Sequence, residues 1–279
     1  MGTAVAVTRK LVGTAARSVI IPVMRLLDLL ADVPGATLVQ GDPAADVLGV
    51  VHDSRRVLAG QLFVVLPGER HDARAFVPQA LERGAVGIVA DGPLTLPADR
   101  VMISVPAARP ALADLAAALR GHPTRQLRLV GVTGTDGKTS TTRLLAAILE
   151  RAGQRVGWLT TVDVKSGDQI RPNDLHHTTP EADRVQEVMA EMVADRVGTA
   201  ILEVSSHALM LDRVRGCEID LAIFTNLSPE HLNFHGTMDE YARAKARLFE
   251  MLGEPTTKSW PRLGVVNADD PFSAVMREY

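Results

Sequence analysis

The stretch Leu129-Val-Gly-Val-Thr-Gly-Thr-Asp-Gly-Lys-Thr-Ser-Thr-Thr142 constrains this chain more than any other. An apolar run of strand length breaks into a glycine-rich turn, and a helical pattern (Leu144, Leu145, Ile148, Leu149) follows. That order reads as a buried strand, a phosphate-binding loop and a helix, and predicts a nucleoside triphosphate site. Gly134 and Gly137 let backbone amides approach phosphate oxygens, and the helix opening after Gly137 turns its positive end toward them. The loop residues Gly134, Thr135, Asp136, Gly137, Lys138, Thr139 and Ser140 are the candidate phosphate contacts. Lys138 would reach the terminal phosphates and the Thr139 hydroxyl would sit on a magnesium ion. The strict pattern has glycine where this chain has Val132, so the loop is a variant.

Composition narrows the setting. With 279 residues and 46% hydrophobic content the chain suffices for about two cored domains. A net charge of -3, with both signs spread along the chain, argues against a nucleic-acid-binding surface. Cys217 is the only cysteine, which excludes an internal disulfide and fits a reducing compartment, with the cytoplasm as the expectation. Residues 1–23 are rich in Ala and Val and carry Arg9, Lys10 and Arg17 without an acidic residue. They mildly resemble a targeting segment, but basic residues interrupt every apolar run before the roughly 18 residues a membrane span needs. They are read as an extension before the first domain.

From Met24 to His122 short apolar strands alternate with helices: Val47–Val51, Gln61–Val65, a helix near Ala75–Arg83, Gly87–Ala90, Val101–Val105 and a helix near Pro110–Leu119. This predicts a small α/β domain over residues 24–122. The stretch Arg120-Gly-His-Pro-Thr-Arg125 breaks the last helix and serves as a linker. A second domain over residues 126–279 is expected to hold strands Leu127–Thr133, Val156–Thr161, Thr199–Val204 and Leu221–Asn226. Helices near Thr139–Ala152, Glu181–Arg196 and Met238–Leu252 separate or follow them, which implies a parallel sheet covered on both faces. In such sheets ligands gather at the carboxyl ends of the strands, where Thr133–Thr142, Glu203–His207 and Asn226–His235 fall.

Glu203, at the tip of one strand, is placed to hold magnesium beside the loop, although a strand-terminal glutamate also serves as a helix-start charge. His231 and His235 are four apart; they could be metal ligands, substrate contacts or plain loop residues. No third His or Cys has suitable spacing for zinc. Lys245 lies on an amphipathic helix whose buried side is formed by Tyr241, Leu248 and Phe249; taken alone, it reads as a solvated helix residue.

Four motifs now stand in one order: Gly134-Thr-Asp-Gly-Lys-Thr139, Glu203-Val-Ser-Ser-His207, Thr225-Asn-Leu-Ser-Pro-Glu-His-Leu-Asn-Phe-His235 and Asn267-Ala-Asp-Asp270. Their order resembles that of the Mur ligases. The first domain adds Asp53-Ser-Arg55, Gly60-Gln-Leu-Phe-Val-Val-Leu-Pro-Gly68 and Phe76-Val-Pro-Gln-Ala-Leu-Glu-Arg-Gly-Ala85, which resemble that family's UDP-binding module. The likeness covers most of residues 24–279 and is strongest to the branch that extends a UDP-linked muramoyl dipeptide. It implies a UDP-binding domain followed by an ATP-binding central domain, and an ATP-dependent amide ligase of peptidoglycan synthesis, hence of wall biogenesis, cell shape and division. The reaction implied is the addition of an amino acid to UDP-N-acetylmuramoyl-L-alanyl-D-glutamate through an acyl phosphate, with ATP and Mg2+. By the same resemblance Lys138, Glu203, His231 and Lys245 are the catalytic set. Thr139, Glu203 and His231 would hold magnesium, and Lys245, if carbamylated, would join them. Asn267 would lie near adenine. Thr178, Thr179, Ser205 and Arg213 would contact the UDP-muramoyl-peptide, and Ser54 the uridine.

The chain departs from the family pattern in Asp136 for a frequent Asn, in Glu230 and Asn233 for Asp, and in Ala73 for Gly. Asp136 puts negative charge beside phosphate, which weakens nucleotide binding unless a cation compensates. The family also continues beyond the point matched by Tyr279, through more of the central sheet and a third domain that closes over ATP. The expectation is therefore a truncated central domain with an exposed sheet edge and a separate C-terminal partner. Two alternatives stay open. One is a folylpolyglutamate or cyanophycin synthetase relative, against which the Asp53-Ser-Arg55 module argues. The other is a non-catalytic or split-gene remnant that binds nucleotide or UDP-sugar-peptide.

Overall fold

The computed structural model describes residues 23–68, 73–174 and 177–279. The sequence reading of an N-terminal extension therefore lies outside the described residues, Val23 excepted. The chain divides into two compact units that meet at Gly121 and His122.

The first unit runs β1 (Met24–Arg25), α1 (Leu26–Leu30), β2 (Thr37–Gln40), β3 (Asp46–Val47), β4 (Gly49–Val51), β5 (Gln61–Val64), α2 (Val77–Glu82), β6 (Gly87–Ala90), β7 (Val101–Ser104) and α3 (Ala108–Leu119). Five strands form a sheet in the order β2-β7-β6-β5-β4, parallel except for β2. The inner strands are apolar without alternation, as in Gly87–Ala90, which is buried throughout, whereas the edge strand β2 alternates. Phe63, Val65, Ile88 and Met102 form one packed layer with Val77 and Ala80 of α2.

The second unit runs β8 (Arg128–Thr133), α4 (Lys138–Arg151), β9 (Val156–Leu159), β10 (Asp163–Ser166), β11 (Gln169–Pro172), α5 (Ala182–Ala194), β12 (Thr199–Glu203), α6 (Ser206–Met210), β13 (Leu221–Phe224), α7 (Leu232–His235), α8 (Met238–Glu250), β14 (Leu263–Val266) and α9 (Ser273–Met276). Its seven strands lie in the order β11-β10-β9-β12-β8-β13-β14. The expected parallel sheet is present from β9 to β14, but an antiparallel hairpin, β10–β11, extends it at one end. That hairpin was invisible to a search for apolar runs, since Gln169-Ile-Arg-Pro172 is exposed throughout.

Alternate residues of β8, β9, β12 and β13 enter two cores. Leu129, Leu159, Leu202 and Phe224 pack with α5 and α8, while Val130, Val132, Trp158 and Ile201 pack beneath Ala146 of α4. On α4 the apolar pattern divides: Leu145 and Leu149 meet the sheet, whereas Leu144 and Ile148 are 67% and 66% exposed. At the far edge β14 pairs with β13 alone among the described residues, with Leu263 60% exposed. Cys217 is buried, and burial pushes its thiol up to about 12, so it stays protonated.

Candidate functional site

Strand register brings the site together. Parallel pairing sets Glu203 against Val132 and Phe224 against Thr133, so the loop, the carboxylate and the Thr225-Asn226 segment emerge at one edge. Gly134 has φ +147, and a Cβ there would lie 1.9 Å from Thr225 Oγ1, so only glycine fits. Gly137 has φ +79 with open space around it; its requirement is conformational alone.

The Thr225-Asn226 segment locks the loop. Thr135 and Asp136 donate their amides to Asn226 O and Oδ1 at 2.9 and 3.0 Å, and Thr225 Oγ1 donates to Asp136 O at 2.7 Å. Those two amides are thereby used, and the N–H groups of the first turn of α4, starting at Lys138, remain for an anion. Lys138 Nζ folds back onto Gly134 O and Thr135 O at 3.0 and 2.7 Å. Burial pulls its pKa below the ordinary lysine value, while Glu203, Glu230 and Asp136 pull it up.

A cavity of about 280 Å³ opens over this loop, lined by Thr135, Asp136, Gly137, Lys138, Thr139, Ser140, Thr161, Thr178 and Glu203. Glu203 is fully buried; Oε2 accepts from the Thr161 hydroxyl at 2.9 Å and amide at 3.3 Å, and Oε1 has no partner. A buried carboxylate oxygen without a donor is costly, and a cation offsets that cost. Among the described residues no three His, Cys, Asp or Glu side chains converge on a metal position. The donor set is one carboxylate oxygen and the Thr139 hydroxyl beside a phosphate-binding loop. That set suits magnesium, which keeps waters and binds through one or two carboxylates and substrate phosphates.

Lys245 is not the solvated helix residue that its charge alone suggests. It is 1% exposed, and its Nζ donates to Gly134 O at 2.7 Å, the carbonyl Lys138 also uses. Its side chain lies over the Tyr241 ring at 4.3 Å. Burial first, and the Lys138 charge second, lower its pKa to about 7. Its spacing from Tyr241, Leu248 and Phe249 puts it on the buried stripe of α8, where the phosphate loop, not solvent, covers it.

Other sequence candidates lie off the cavity wall. His231, at the left-handed N-cap of α7 (φ 55), has its side chain 47% exposed, 3.7 Å from Glu230 Oε1 and edge-on to His207 at 4.7 Å. His235 is buried and bonded to Ser206 Oγ at 2.8 Å; burial and the neighbouring His207 and Lys245 charges lower its pKa to about 4, so it is neutral. Thr179 Oγ1 donates to Glu203 O at 2.8 Å and accepts from Ser205 N at 3.1 Å. Ser205 Oγ caps α6 by accepting from Ala208 N. Arg213 pairs with Glu181 and donates to Thr179 O. Asn267 Nδ2 donates to Thr225 O at 2.9 Å, behind the loop lock. Ser54 lies in the first unit, where its hydroxyl donates to Gln79 Oε1 at 2.7 Å. Thr161 and Thr225 are not among the sequence-based site candidates, and Asn226 enters as the start of the strand-end segment Asn226–His235; Thr161 closes the predicted strand Val156–Thr161 without a motif to mark it.

Comparison with known proteins gives the family. Residues 132–279 match the Mur ligase middle domain, and residues 46–120 match the Mur ligase family, catalytic domain. The UDP-N-acetylmuramyl-tripeptide synthetase of Roseiflexus sp. (strain RS-1) is 48% identical over 81% of this chain and 46% of that protein. The UDP-N-acetylmuramoyl-L-alanyl-D-glutamate--2,6-diaminopimelate ligase of Geobacillus thermodenitrificans (strain NG80-2) is 44% identical over 90% of this chain and 50% of that protein. A solved structure of a UDP-N-acetylmuramoyl-L-alanyl-D-glutamate--2,6-diaminopimelate ligase superposes with a TM-score of 0.70 at 30% identity, over 85% of this chain and 46% of that one. MurF of Acinetobacter baumannii shares the fold with a TM-score of 0.63 at 23% identity, over 92% of this chain and 51% of that one. The chain thus spans about half the length of the curated relatives it matches. Since the middle-domain match alone takes in more than half of the sequence, the chain belongs to the Mur ligase family.

Proposed function

We propose that this chain is the substrate- and nucleotide-binding part of an ATP-dependent acid–amino-acid ligase of peptidoglycan synthesis. It acts on UDP-N-acetylmuramoyl-L-alanyl-D-glutamate in the cytoplasm, with residues 24–122 taking the UDP moiety and residues 126–279 taking ATP. The observation that carries this reading is the unpaired Glu203 Oε1 beside Lys138 and the start of α4 in one cavity. The names of the relatives supply the acceptor. A partner domain, in the same or another polypeptide, supplies the remaining half of the ligase.

In this reading a carboxylate oxygen of the acceptor attacks the terminal phosphorus of ATP, ADP leaves, and the resulting acyl phosphate is attacked by the incoming amine, which loses a proton as phosphate is expelled. Magnesium supplies charge neutralisation on the phosphoryl group. Lys138 and the amides from Gly137 to Ser140 would bind phosphate oxygens, and Thr139, Glu203 and His231 would hold magnesium. Thr178, Thr179, Ser205 and Arg213 face the muramoyl-peptide, Ser54 the uridine and Asn267 the adenine. The chain's contribution is orientation and preset charge rather than covalent chemistry.

Calorimetric titration tests this. The chain is expected to bind both UDP-N-acetylmuramoyl-L-alanyl-D-glutamate and a magnesium complex of a non-hydrolysable ATP analogue, each independently. Binding of neither ligand would end the proposal.

Lys245 has a distinct role in this reading, as a carbamate that adds an anionic metal ligand. Carbamylation needs a neutral amine, and a pKa near 7 leaves about half of it neutral at pH 7. The Lys138 charge that depresses the Lys245 ammonium would stabilise the carbamate anion. Labelled bicarbonate is expected to give a carbamate carbon signal that grows from pH 6 to pH 8 and is missing in Lys245→Ala. Stability has the matching sign. Between pH 7 and the ordinary lysine range near 10.5 the unfolded chain holds a proton that the unmodified native state has lost, so stability rises with pH across that window.

A further inference from the structure

Thr161 sits where the nucleotide side of the cavity meets the Thr178 side, and its hydrogen bonds have a definite direction. Its hydroxyl lies 2.9 Å from Glu203 Oε2 and 3.0 Å from Thr178 Oγ1. A threonine hydroxyl has one hydrogen, and an ionised carboxylate only accepts. With Glu203 ionised, the Thr161 hydrogen goes to Glu203, and Thr178 donates to Thr161. The Thr161 amide adds a second donor to the same carboxylate oxygen at 3.3 Å. Both bonds fall on Oε2, which leaves Oε1 as the oxygen without a partner.

The peptide that carries Thr161 is itself held from two sides. Asp163 Oδ1 accepts from Trp158 Nε1 at 2.9 Å and from the Thr160 hydroxyl at 3.0 Å, and Asp163 Oδ2 pairs with Arg143. Arg143 stands on α4, the helix that begins at Lys138, and lies over the Trp158 ring at 4.2 Å. Asn173 Nδ2 donates to Thr160 O at 2.7 Å and to His177 O at 3.1 Å, tying the turn to the segment that leads into Thr178. Thr161 is thus placed by the phosphate-binding helix on one side and by the Thr178 segment on the other.

We propose that Thr161 is a positioning residue: it fixes one oxygen of Glu203 so that the other is presented to a divalent cation, and it links that carboxylate to Thr178. The inference rests on the reading of Glu203 as a metal ligand. Groups that orient a metal-binding carboxylate by hydrogen bonding carry much of a site's affinity, roughly 10-fold or more per group. Thr161→Val keeps the shape and the amide bond but removes the hydroxyl, while Thr161→Ser retains it.

The test is Mn2+ affinity of the full 279-residue chain with a saturating non-hydrolysable ATP analogue, read from the electron paramagnetic resonance of free Mn2+. Thr161→Val is expected to weaken Mn2+ binding about 10-fold. Thr161→Ser should stay near the parent, and both variants should hold metal-free nucleotide as the parent does. Parent-like Mn2+ affinity in Thr161→Val would overturn the proposal, as would equal weakening in Thr161→Ser, since that would point to lost packing. Glu203→Gln separates the two levels. If the parent binds Mn2+ no better than Glu203→Gln, the metal reading of Glu203 fails and takes this inference with it.

Discussion

Lys138→Ala is expected to remove magnesium–nucleotide binding while leaving the chain folded. The side chain is half-buried at the cavity wall, with its ammonium held by two loop carbonyls rather than by a carboxylate. Burial lowers its pKa, so in the ligand-free state the charge is poorly solvated and waits for an anion. A phosphate group would supply that partner, and a charge-assisted bond of this kind contributes about 3 kcal/mol, roughly 100-fold in affinity. Alanine loses that bond but also relieves the burial of an unmatched charge, so the unfolding midpoint should hardly move. The α4 amides that start at position 138 are unaffected, because they belong to the backbone. Titration of both proteins with the nucleotide analogue, beside urea unfolding, checks the pair of outcomes. Equal affinity in the variant would mean the loop is not a phosphate site. A collapse of stability would mean Lys138 is a structural staple of the loop.

The largest effect on stability is expected at the opposite end of the sheet, from Lys258→Ala. Lys258 and Asp220 form an ion pair at 2.6 Å with side chains only 3% and 7% exposed. The ammonium also donates to Glu218 O and Leu127 O, and the carboxylate accepts from Leu129 N at 2.7 Å. This one side chain pins residues 254–262 beneath the entry of β8 and β13. Asp220 Oδ1 is already buried without a partner, so deletion of the lysine strands a carboxylate that has little reserve. Breaking such a pair costs roughly 3–5 kcal/mol. With a urea slope of about 2 kcal/mol per molar, the midpoint should fall by roughly 2 M. The reversed logic gives a control: Lys258→Met combined with Asp220→Leu should recover much of the loss, since two apolar groups need no solvation. A Lys258→Ala midpoint within about 0.3 M of the parent would show that water replaces the ammonium at little cost.

How much of this was legible beforehand depended on how local the cause was. The phosphate loop, α4 and the strands that carry Glu203 and Thr225 follow from contiguous residues. A run of apolar side chains needs cover on both faces, and glycines are needed where φ is positive or another backbone presses close. At Gly134 the sequence implied the glycine, but only the fold shows that Thr225 Oγ1 is what excludes a Cβ. The hairpin β10–β11 and the edge strand β14 were missed for the converse reason. β11 and β14 are largely exposed, and β10, though mostly buried, is polar at Asp163, Lys165 and Ser166, so the hairpin shows no apolar run and the pairing of all three strands rests on backbone hydrogen bonds.

By itself the sequence determined the nucleotide-type fold, the loop chemistry and the motifs that mark a Mur ligase, because those depend on spacings within short segments. Only the tertiary structure decided the electrostatic state of the site. Lys245 becomes a buried amine with a pKa near 7 because the phosphate loop closes over it, more than a hundred residues away along the chain. Glu203 keeps one oxygen free because a turn on a neighbouring strand takes the other. Burial and hydrogen-bond direction are properties of what surrounds a residue in space, and one-dimensional order carries them only where the neighbours in space are also neighbours in the chain.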